Sequence, residues 1–382
     1  MVYQRPILVL SSLAAEGAPR LVLELCRIWQ RDGIRPVVAV LRPTPDDLAP
    51  DFDALGIERV CLGMGERGRL RYLRLAMATF ALARRLRPIA LLSMPLGWHA
   101  FVAWGAKLAG VPRVAAHVGT YPWHWHGRAF RKFRLQVRIG RPVTDCLVCC
   151  SDHVRAGVLR WFAVDEAKTA VVYNGIDRHR FRGCSVPAGR RSERPVWRAG
   201  MVGRIDHTKD YGTLLGACRE LQRRGRPIEL WLVGDGAGRA GLEAMAARCG
   251  IAEHVRFLGV TRDIPGVLVQ LDAFVFAARR EEGLGIALIE AMAAGVPVIA
   301  SDVGACREVL DGGALGLLVS PGDAIALADA IERVRAEPAA AAIRAERARR
   351  KAFEVFEAER MAAAYAEVLG LRPVRAAALA AA

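Results

Sequence analysis

Short apolar runs alternate along this chain with longer segments whose apolar residues recur every three or four positions. In the first half, Ile7–Leu10, Val37–Leu41, Ile89–Ser93, Arg113–His117 and Cys146–Cys150 read as buried strands, being short and apolar on successive residues. Pro19–Arg31, Leu70–Leu86 and Trp98–Ala109 carry helical periodicity between them. In the second half, Trp197–Val202, Glu229–Val233, Val255–Leu258, Ala273–Ala277, Val298–Ser301 and Gly316–Val319 read as strands. Thr213–Arg223, Ala240–Arg248, Leu284–Ala294 and Ala324–Glu337 read as the helices between them. Such alternation predicts parallel sheets covered by helices on both faces. Residues 181–195 break the pattern: they are rich in Gly, Pro and charge and poor in apolar residues, as a linker is. The expected organisation is a Rossmann-like domain over 1–180, a linker at 181–195, a second Rossmann-like domain over 196–370, and an alanine-rich tail at 371–382. Ligands of such sheets bind beyond the carboxyl ends of the strands.

Composition narrows the picture further. A chain of 382 residues with 53% hydrophobic and 25% charged side chains can bury two cores, which excludes disorder across its length. The run Ile7–Leu10 is too short for the apolar region of a secretory signal. Nine cysteines, an odd number, are then expected as reduced thiols in the cytoplasm. Cys146, Cys149 and Cys150 lack a second ligand pair at metal-site spacing and are expected as small residues of a buried strand. The uncharged stretch Ile89–Ala106 contains Ser93, Pro95, Gly97 and His99, and reads as strand, turn and helix start rather than a membrane span. Asp51 and Asp53 form a D-x-D, a pattern that can hold a metal, but their acidic, Pro-flanked setting reads as a surface loop.

The net charge of +16 is unevenly placed: +13 over residues 1–180, +4 over 181–200 and −1 over 201–382. Arg67–Thr144 contains fifteen Lys or Arg residues and no Asp or Glu. A solvated face normally mixes both signs, so this stretch points to an anionic partner: a membrane leaflet, a lipid phosphate or a nucleic acid. The plainer alternative is Arg-rich composition without a partner.

The chemistry concentrates in the second half. In residues 279–300, Glu282 precedes a Gly-rich turn, Gly283-Leu284-Gly285, and Glu290 follows eight positions later on a helix. A helix N-terminus offers free N–H groups and partial positive charge to a phosphate, and glycines let the backbone approach it. Carboxylates in the loop and on the helix can hold sugar hydroxyls and a ribose on either side of that phosphate. In residues 201–215 a strand ends at Gly203, Arg204 follows, and Lys209 precedes the next helix. Two cations at a strand's carboxyl end can neutralise a diphosphate.

Together these stretches resemble the retaining, family-four glycosyltransferases (glycosyl transferases group 1) of the GT-B fold, over most of residues 196–330. The resemblance rests on Gly203-Arg204 with Lys209, Leu232–Gly236, Val255–Gly259, Glu282–Gly285 with Glu290–Gly295, Ser301–Gly304 with Glu308, and Gly316–Asp323. Ala277-Ala278 departs from the Pro-Ser often found there. The resemblance implies two doubly wound α/β domains facing across a cleft, with Arg204 and Lys209 on the donor diphosphate. It implies Glu282 on the donor sugar, Glu290 on the ribose, and Leu258, Gly259 and Val260 at the base. In the first half, Ala15–Arg20 resembles the family's Gly-Gly loop but keeps one glycine, Gly17, with Pro19 suited to a first helical position. His117 matches a histidine that faces the donor sugar, although a lone strand-end histidine is more often structural. Val172–Asp177 resembles the interdomain hinge.

The implied reaction is attack of an acceptor hydroxyl on the anomeric carbon of a UDP- or GDP-sugar, retaining configuration, without a metal or other cofactor. Leu70–Arg85 can form a basic amphipathic helix and Tyr121–Arg134 interleaves aromatics with cations, which suits a peripheral protein on the inner membrane face and a glycan or lipid-linked acceptor. Three other readings compete. A dehydrogenase would use Gly234, Gly236 and Gly238, but Arg239 stands where its third fingerprint glycine belongs. A sugar phosphorylase or nucleotide-sugar epimerase would share the phosphate site. A nucleic-acid binder is allowed by charge, but no recognised motif supports it, so no nucleic acid is expected.

Overall fold

The computed structural model describes residues 4–64, 68, 70–94, 96–122, 127–184, 196–206 and 209–372. The last ten residues of the expected tail, linker residues 185–195, and residues 123–126 of the aromatic stretch lie outside the described residues. The chain divides into two units, residues 1–175 with 358–382, and residues 176–357.

The first unit runs β1 (Ile7–Leu10), α1 (Gly17–Arg31), β2 (Val37–Val40), α2 (Ala49–Ala54), β3 (Glu58–Cys61), α3 (Arg71–Leu86), β4 (Ala90–Ser93), α4 (Leu96–Leu108), β5 (Arg113–Val118), α5 (Gly127–Gly140), β6 (Cys146–Cys149), α6 (Asp152–Phe162) and β7 (Thr169–Val171). Its seven strands are parallel in the order β3-β2-β1-β4-β5-β6-β7. Strands β1, β2 and β4 are buried throughout, because helices cover both faces and no alternation with polar residues is needed.

The second unit runs β8 (Arg198–Val202), α7 (Tyr211–Arg223), β9 (Glu229–Val233), α8 (Arg239–Arg248), β10 (Val255–Gly259), α9 (Ile264–Leu268), β11 (Ala273–Phe276), α10 (Ile286–Ala293), β12 (Val298–Ser301), α11 (Gly304–Val309), β13 (Leu317–Val319), α12 (Ala324–Ala336) and α13 (Pro338–Val355). Its six parallel strands follow the order β10-β9-β8-β11-β12-β13. In both sheets the order reverses once, between β1 and β4 and between β8 and β11. Loops leaving the carboxyl ends of such a strand pair diverge to opposite faces and open a crevice, where doubly wound sheets bind ligands. Both halves are thus the expected Rossmann-like doubly wound α/β folds.

A last helix, α14 (Ala358–Leu369), belongs to the first unit rather than to the second, where residues 196–370 were expected. The reason is its apolar stripe. Met361, Ala362, Tyr365, Ala366 and Leu369 are buried at helical spacing in the core formed with α1 and β1, and Trp29 Nε1 donates to Ala362 O at 3.0 Å. The chain passes between units at Gly175–Ile176, inside the stretch Val172–Asp177 and not within 181–195. Phe181 is buried and Ile176 bridges to Glu357, which holds residues 176–184 to the second unit.

Two local expectations change. Asp51 and Asp53 lie on the short helix α2, not in a loop, and Asp53 pairs with Arg59 at 2.6 Å. Helix α1 starts at Gly17, so Pro19 is its third residue; every first-turn N–H lacks an intrahelical acceptor, so proline costs nothing there. The stretch Ile89–Ala106 splits into β4 and α4, and among the described residues no helix is long and apolar enough to cross a membrane. Cys149 and Cys150 are buried, burial pushes the Cys149 thiol up to about 12, and no metal-type cluster occurs among the described residues.

Candidate functional site

The crevice between β8 and β11 collects the second unit's expected residues. The loop after β8 carries Gly203, Arg204 and Lys209; the loop after β11 carries Glu282, Gly283, Leu284 and Gly285. The two loops are tied by Asp210 N to Ala277 O at 3.0 Å and by an antiparallel bridge between Lys209 and Ala278. Ala277 and Ala278 are fully buried, and Ala278 N donates to Ser301 Oγ at 3.1 Å. The departure from Pro-Ser therefore places two small residues where the loop is pressed against β12.

Across this junction Lys209 Nζ forms an ion pair with Glu282 Oε2. Both side chains are mostly buried, at 15% and 13% exposure. The ammonium also lies 4.6 Å from the centre of the Phe276 ring, whose π-face favours a cation. Behind the pair, burial first and the Glu282 charge second push the thiol of buried Cys306 far up, so it is an inert neighbour. Arg204 is half exposed and pairs with Asp206 at 2.5 Å.

The β8 loop is shaped by glycines on its neighbours. A side chain at Gly234 (φ 130°) or at Gly236 (φ 157°) would run into the carbonyls of Gly203 and Ile205. Gly203 N bonds to Val233 O at 2.9 Å, Gly234 N to Gly259 O at 2.7 Å, and Ile205 N to Asp235 O at 2.9 Å. Tyr211, buried, donates from Oη to Gly203 O at 2.9 Å. The glycine cluster 234–238 thus serves close packing of the loop that carries Arg204. That accounts for its glycines without a dinucleotide fingerprint.

Helix α10 begins at Ile286, two residues later than expected, because Gly285 is its N-cap in the left-handed region (φ 85°). A Cβ there would lie 2.9 Å from the Phe276 ring, so the position excludes any side chain. Gly283, Leu284 and Gly285 are buried beside Glu282, at the N-terminal end of α10. One turn on, Glu290 is buried, and its Oε1 faces Arg180 Nη1 at 3.9 Å. The same guanidinium donates to Arg262 O at 3.2 Å, beyond the end of β10, where Leu258 and Val260 are exposed and Gly259, the last residue of the strand, has φ 69°. Sequence reasoning missed Arg180, Asp206, Tyr211 and Phe276. Neither Phe276, which looks like an ordinary strand residue, nor Arg180 carried a signal in the sequence.

Two expected residues belong to the other unit. Gly17 is exposed and opens α1 beyond β1. His117 is buried near the end of β5, and its Nδ1 is 2.7 Å from Tyr365 Oη on α14. Burial pushes its pKa down to about 4, so the imidazole is neutral at physiological pH. Gly119 covers the other ring nitrogen; a Cβ there would sit 2.7 Å from Nε2. Tyr365 was also unanticipated, its helix having been assigned to the wrong unit.

Residues 15–180 match the family described as Glycosyltransferase Family 4, and residues 191–352 match Glycosyl transferases group 1. A GDP-mannose-dependent alpha-(1-6)-phosphatidylinositol monomannoside mannosyltransferase of Mycobacterium tuberculosis is 32% identical over 246 residues, 61% of this chain and 63% of the relative. The lipopolysaccharide core biosynthesis glycosyltransferase LpsE of Rhizobium meliloti is 30% identical over 240 residues, 60% of this chain and 65% of the relative. The matched regions thus span less than two thirds of either relative. Among solved structures, Anabaena Alr3699/HepE, crystallised with UDP and glucose, superposes with a TM-score of 0.82 at 19% identity, over 96% of this chain and all of that one. At that identity the likeness is one of fold.

Proposed function

Since the chain belongs to the group 1, family 4 glycosyltransferases and has their GT-B fold, we propose that it moves a hexosyl group from a UDP- or GDP-sugar to a hydroxyl of a lipid-linked or surface-polysaccharide intermediate. The observation that carries this reading is the Lys209–Glu282 pair, which joins the two loops of the β8/β11 crevice beside the N-terminal end of α10. Lys209, Arg204 and the helix end form a cationic cradle for the donor diphosphate. Glu282 then meets the sugar, Glu290 the ribose, and Leu258 to Val260 the base.

In the reaction, the acceptor oxygen bonds to the anomeric carbon while the bond from that carbon to the diphosphate oxygen breaks. The electron pair leaves on the nucleoside diphosphate, and the acceptor proton follows it. The chemical burden is negative charge growing on the phosphate, which fixed cations and backbone N–H groups stabilise without rearranging. The proposal assigns the whole of that work to protein groups, with no metal, and retains the anomeric configuration. His117, neutral and held by Tyr365 within the first unit, carries no charge in this reading. The names of the two relatives, with phosphatidylinositol monomannoside in one and lipopolysaccharide core in the other, support a lipid-linked or surface-polysaccharide acceptor; action at the inner membrane face is part of the proposal.

The test is a thermal-shift panel of nucleoside diphosphates, then product analysis with the matching sugar nucleotide in the presence of EDTA. A ligand at a hundredfold excess over its dissociation constant adds about 2.7 kcal/mol. One nucleoside diphosphate that shifts the wild type but not Lys209→Ala, with transfer surviving EDTA, is the expected result. No shift with any of them removes the donor site, and sugar 1-phosphate released from a glycan by inorganic phosphate, without transfer from the sugar nucleotide, makes the protein a phosphorylase.

A further inference from the structure

We propose that one layer of the first unit, formed by α3, α4 and α5, is a docking face for an anionic lipid bilayer. It deepens the reading of a lipid-linked acceptor and rests on it for its purpose, though not for its test.

Helices α3 and α4 cover one face of the sheet, and α5 packs beside α4. Leu75, Leu82 and Ala83 of α3 and Val102, Ala103 and Ala106 of α4 are buried in the same core as Ile7, Val9 and Leu91 of the strands. They are joined tightly. Gly105 of α4 is pressed on Ala76 O of α3, Gly140 of α5 lies against Ala100 of α4, and Trp104 Nε1 donates to Ile139 O at 3.0 Å. At the start of α3, Tyr72 stacks on Phe101 at 4.3 Å, with Arg71 and Lys132 over its ring at 4.9 and 5.8 Å.

The side turned away from the sheet is apolar where solvent would call for polar residues. Leu70, just before α3, and Leu73, Met77 and Phe80 within it form a continuous exposed stripe at helical spacing, with Met77 61% exposed. Trp104 and Leu108 continue it on α4, and Leu135 and Ile139 on α5. Around them stand the exposed cations Arg74, Arg84 and Arg85 of α3 and Arg128, Arg131, Lys132, Arg134 and Arg138 of α5. No acidic residue occurs between positions 67 and 144.

This combination selects the partner. Nucleic acid would use the cations but has no place for aliphatic tips. A bilayer takes Leu, Met, Ile and Trp into its acyl boundary while Lys and Arg meet the phosphates above. The sequence had marked only the ends of this surface; α4, with Trp104 and Leu108, makes it one face.

The experiment is co-sedimentation of the full chain with phosphatidylcholine vesicles, with and without phosphatidylglycerol, at low and high salt. The wild type is expected to bind the anionic vesicles and to be released by salt. Arg131→Gln/Arg134→Gln/Arg138→Gln should lower partitioning about a hundredfold, at about fivefold per cation. Leu73→Ser/Met77→Ser should lower it as well, leaving the salt dependence in place. Equal binding to neutral vesicles, or wild-type binding by either variant, overturns the proposal. So does duplex DNA binding that matches vesicle binding and ignores the Leu73/Met77 change. The nucleoside-diphosphate thermal shift is read on the same proteins. Vesicle binding lost with the shift intact removes the docking face alone. Vesicle binding kept with no shift in the wild type removes the donor site alone.

Discussion

Replacing Glu282 by Gln separates two roles that the site assigns to one carboxylate. In the free protein Glu282 occupies Lys209 Nζ, the group proposed to hold the donor diphosphate, and both side chains are largely screened from water. An incoming diphosphate therefore competes with a resident anion. At an effective dielectric near 20, a carboxylate about 8 Å from a phosphate charge opposes it by about 2 kcal/mol, or about thirtyfold in affinity. Glu282→Gln should accordingly bind the bare nucleoside diphosphate more tightly, by up to about that factor. It should transfer sugar about 10² to 10³ times more slowly, because a contact strengthened in the transition state is gone. Lys209→Met should do the opposite to binding, and it should also cost about 3 kcal/mol of stability by leaving Glu282 without its cation. Titration calorimetry with the diphosphate and initial rates with the sugar nucleotide measure both halves. Weaker diphosphate binding by Glu282→Gln would refute the competition, and unimpaired transfer would refute the sugar contact.

Three further outcomes follow from the geometry. Gly285→Ala forces a side chain into a left-handed φ and to within 2.9 Å of the Phe276 ring, so it should cost about 2 kcal/mol and lower Tm by roughly 4–8 °C; an unchanged melt in differential scanning fluorimetry counts against that cap geometry. His117 has a folded pKa near 4 against an unfolded value near 6.5, so between those values the unfolded chain binds more protons and stability rises with pH. Urea unfolding should show the His117 contribution intact above pH 6.5 and reduced by about 2 kcal/mol at pH 5, a difference that His117→Gln abolishes. Tyr365→Phe removes the hydroxyl 2.7 Å from His117 Nδ1 and should destabilise the protein by about 1–2 kcal/mol, while nucleoside diphosphates shift Tm as in the wild type.

Most of the two sheets was legible because buried parallel strands are apolar on both faces and leave a continuous run. Ile7–Leu10, Glu229–Val233 and Val298–Ser301 appear as read. The two strands that escaped, β3 (Glu-Arg-Val-Cys) and β7 (Thr-Ala-Val), lie at the two edges of the first sheet, where one side meets water and the apolar run weakens. The highly charged helix α5 was missed for a related reason: its outward face carries cations and its inward face only a few apolar residues. Assignment of α14 failed because sequence order carries no information about which core a terminal helix joins. Its stripe of Met361, Tyr365 and Leu369 fits either neighbour until Trp29 and the β1 core are seen to receive it.

The candidate site was legible to a similar depth and for a physical reason. Lys209, Glu282 and the glycines announce themselves because each is out of place by local rules: charges at strand ends and glycines where a helix should start. Groups that act by supporting them obey local rules and stay silent. Phe276 looks like an ordinary strand residue, Tyr211 like a first-turn aromatic, and Gly234 and Gly236 like a nucleotide fingerprint, although their absent side chains make room for the carbonyls of Gly203 and Ile205. The same contrast separates the two switch points. Both sheets reverse strand order once and both open a crevice there. In the second unit the crevice is flanked by Arg204, Lys209, Glu282 and the cap of α10. In the first, the loop after β1 carries Leu13, Ala14, Ala15 and Glu16 before α1 begins at Gly17. Topology supplies two equivalent places for a ligand, and loop residues alone are what single out one of them as the proposed diphosphate site.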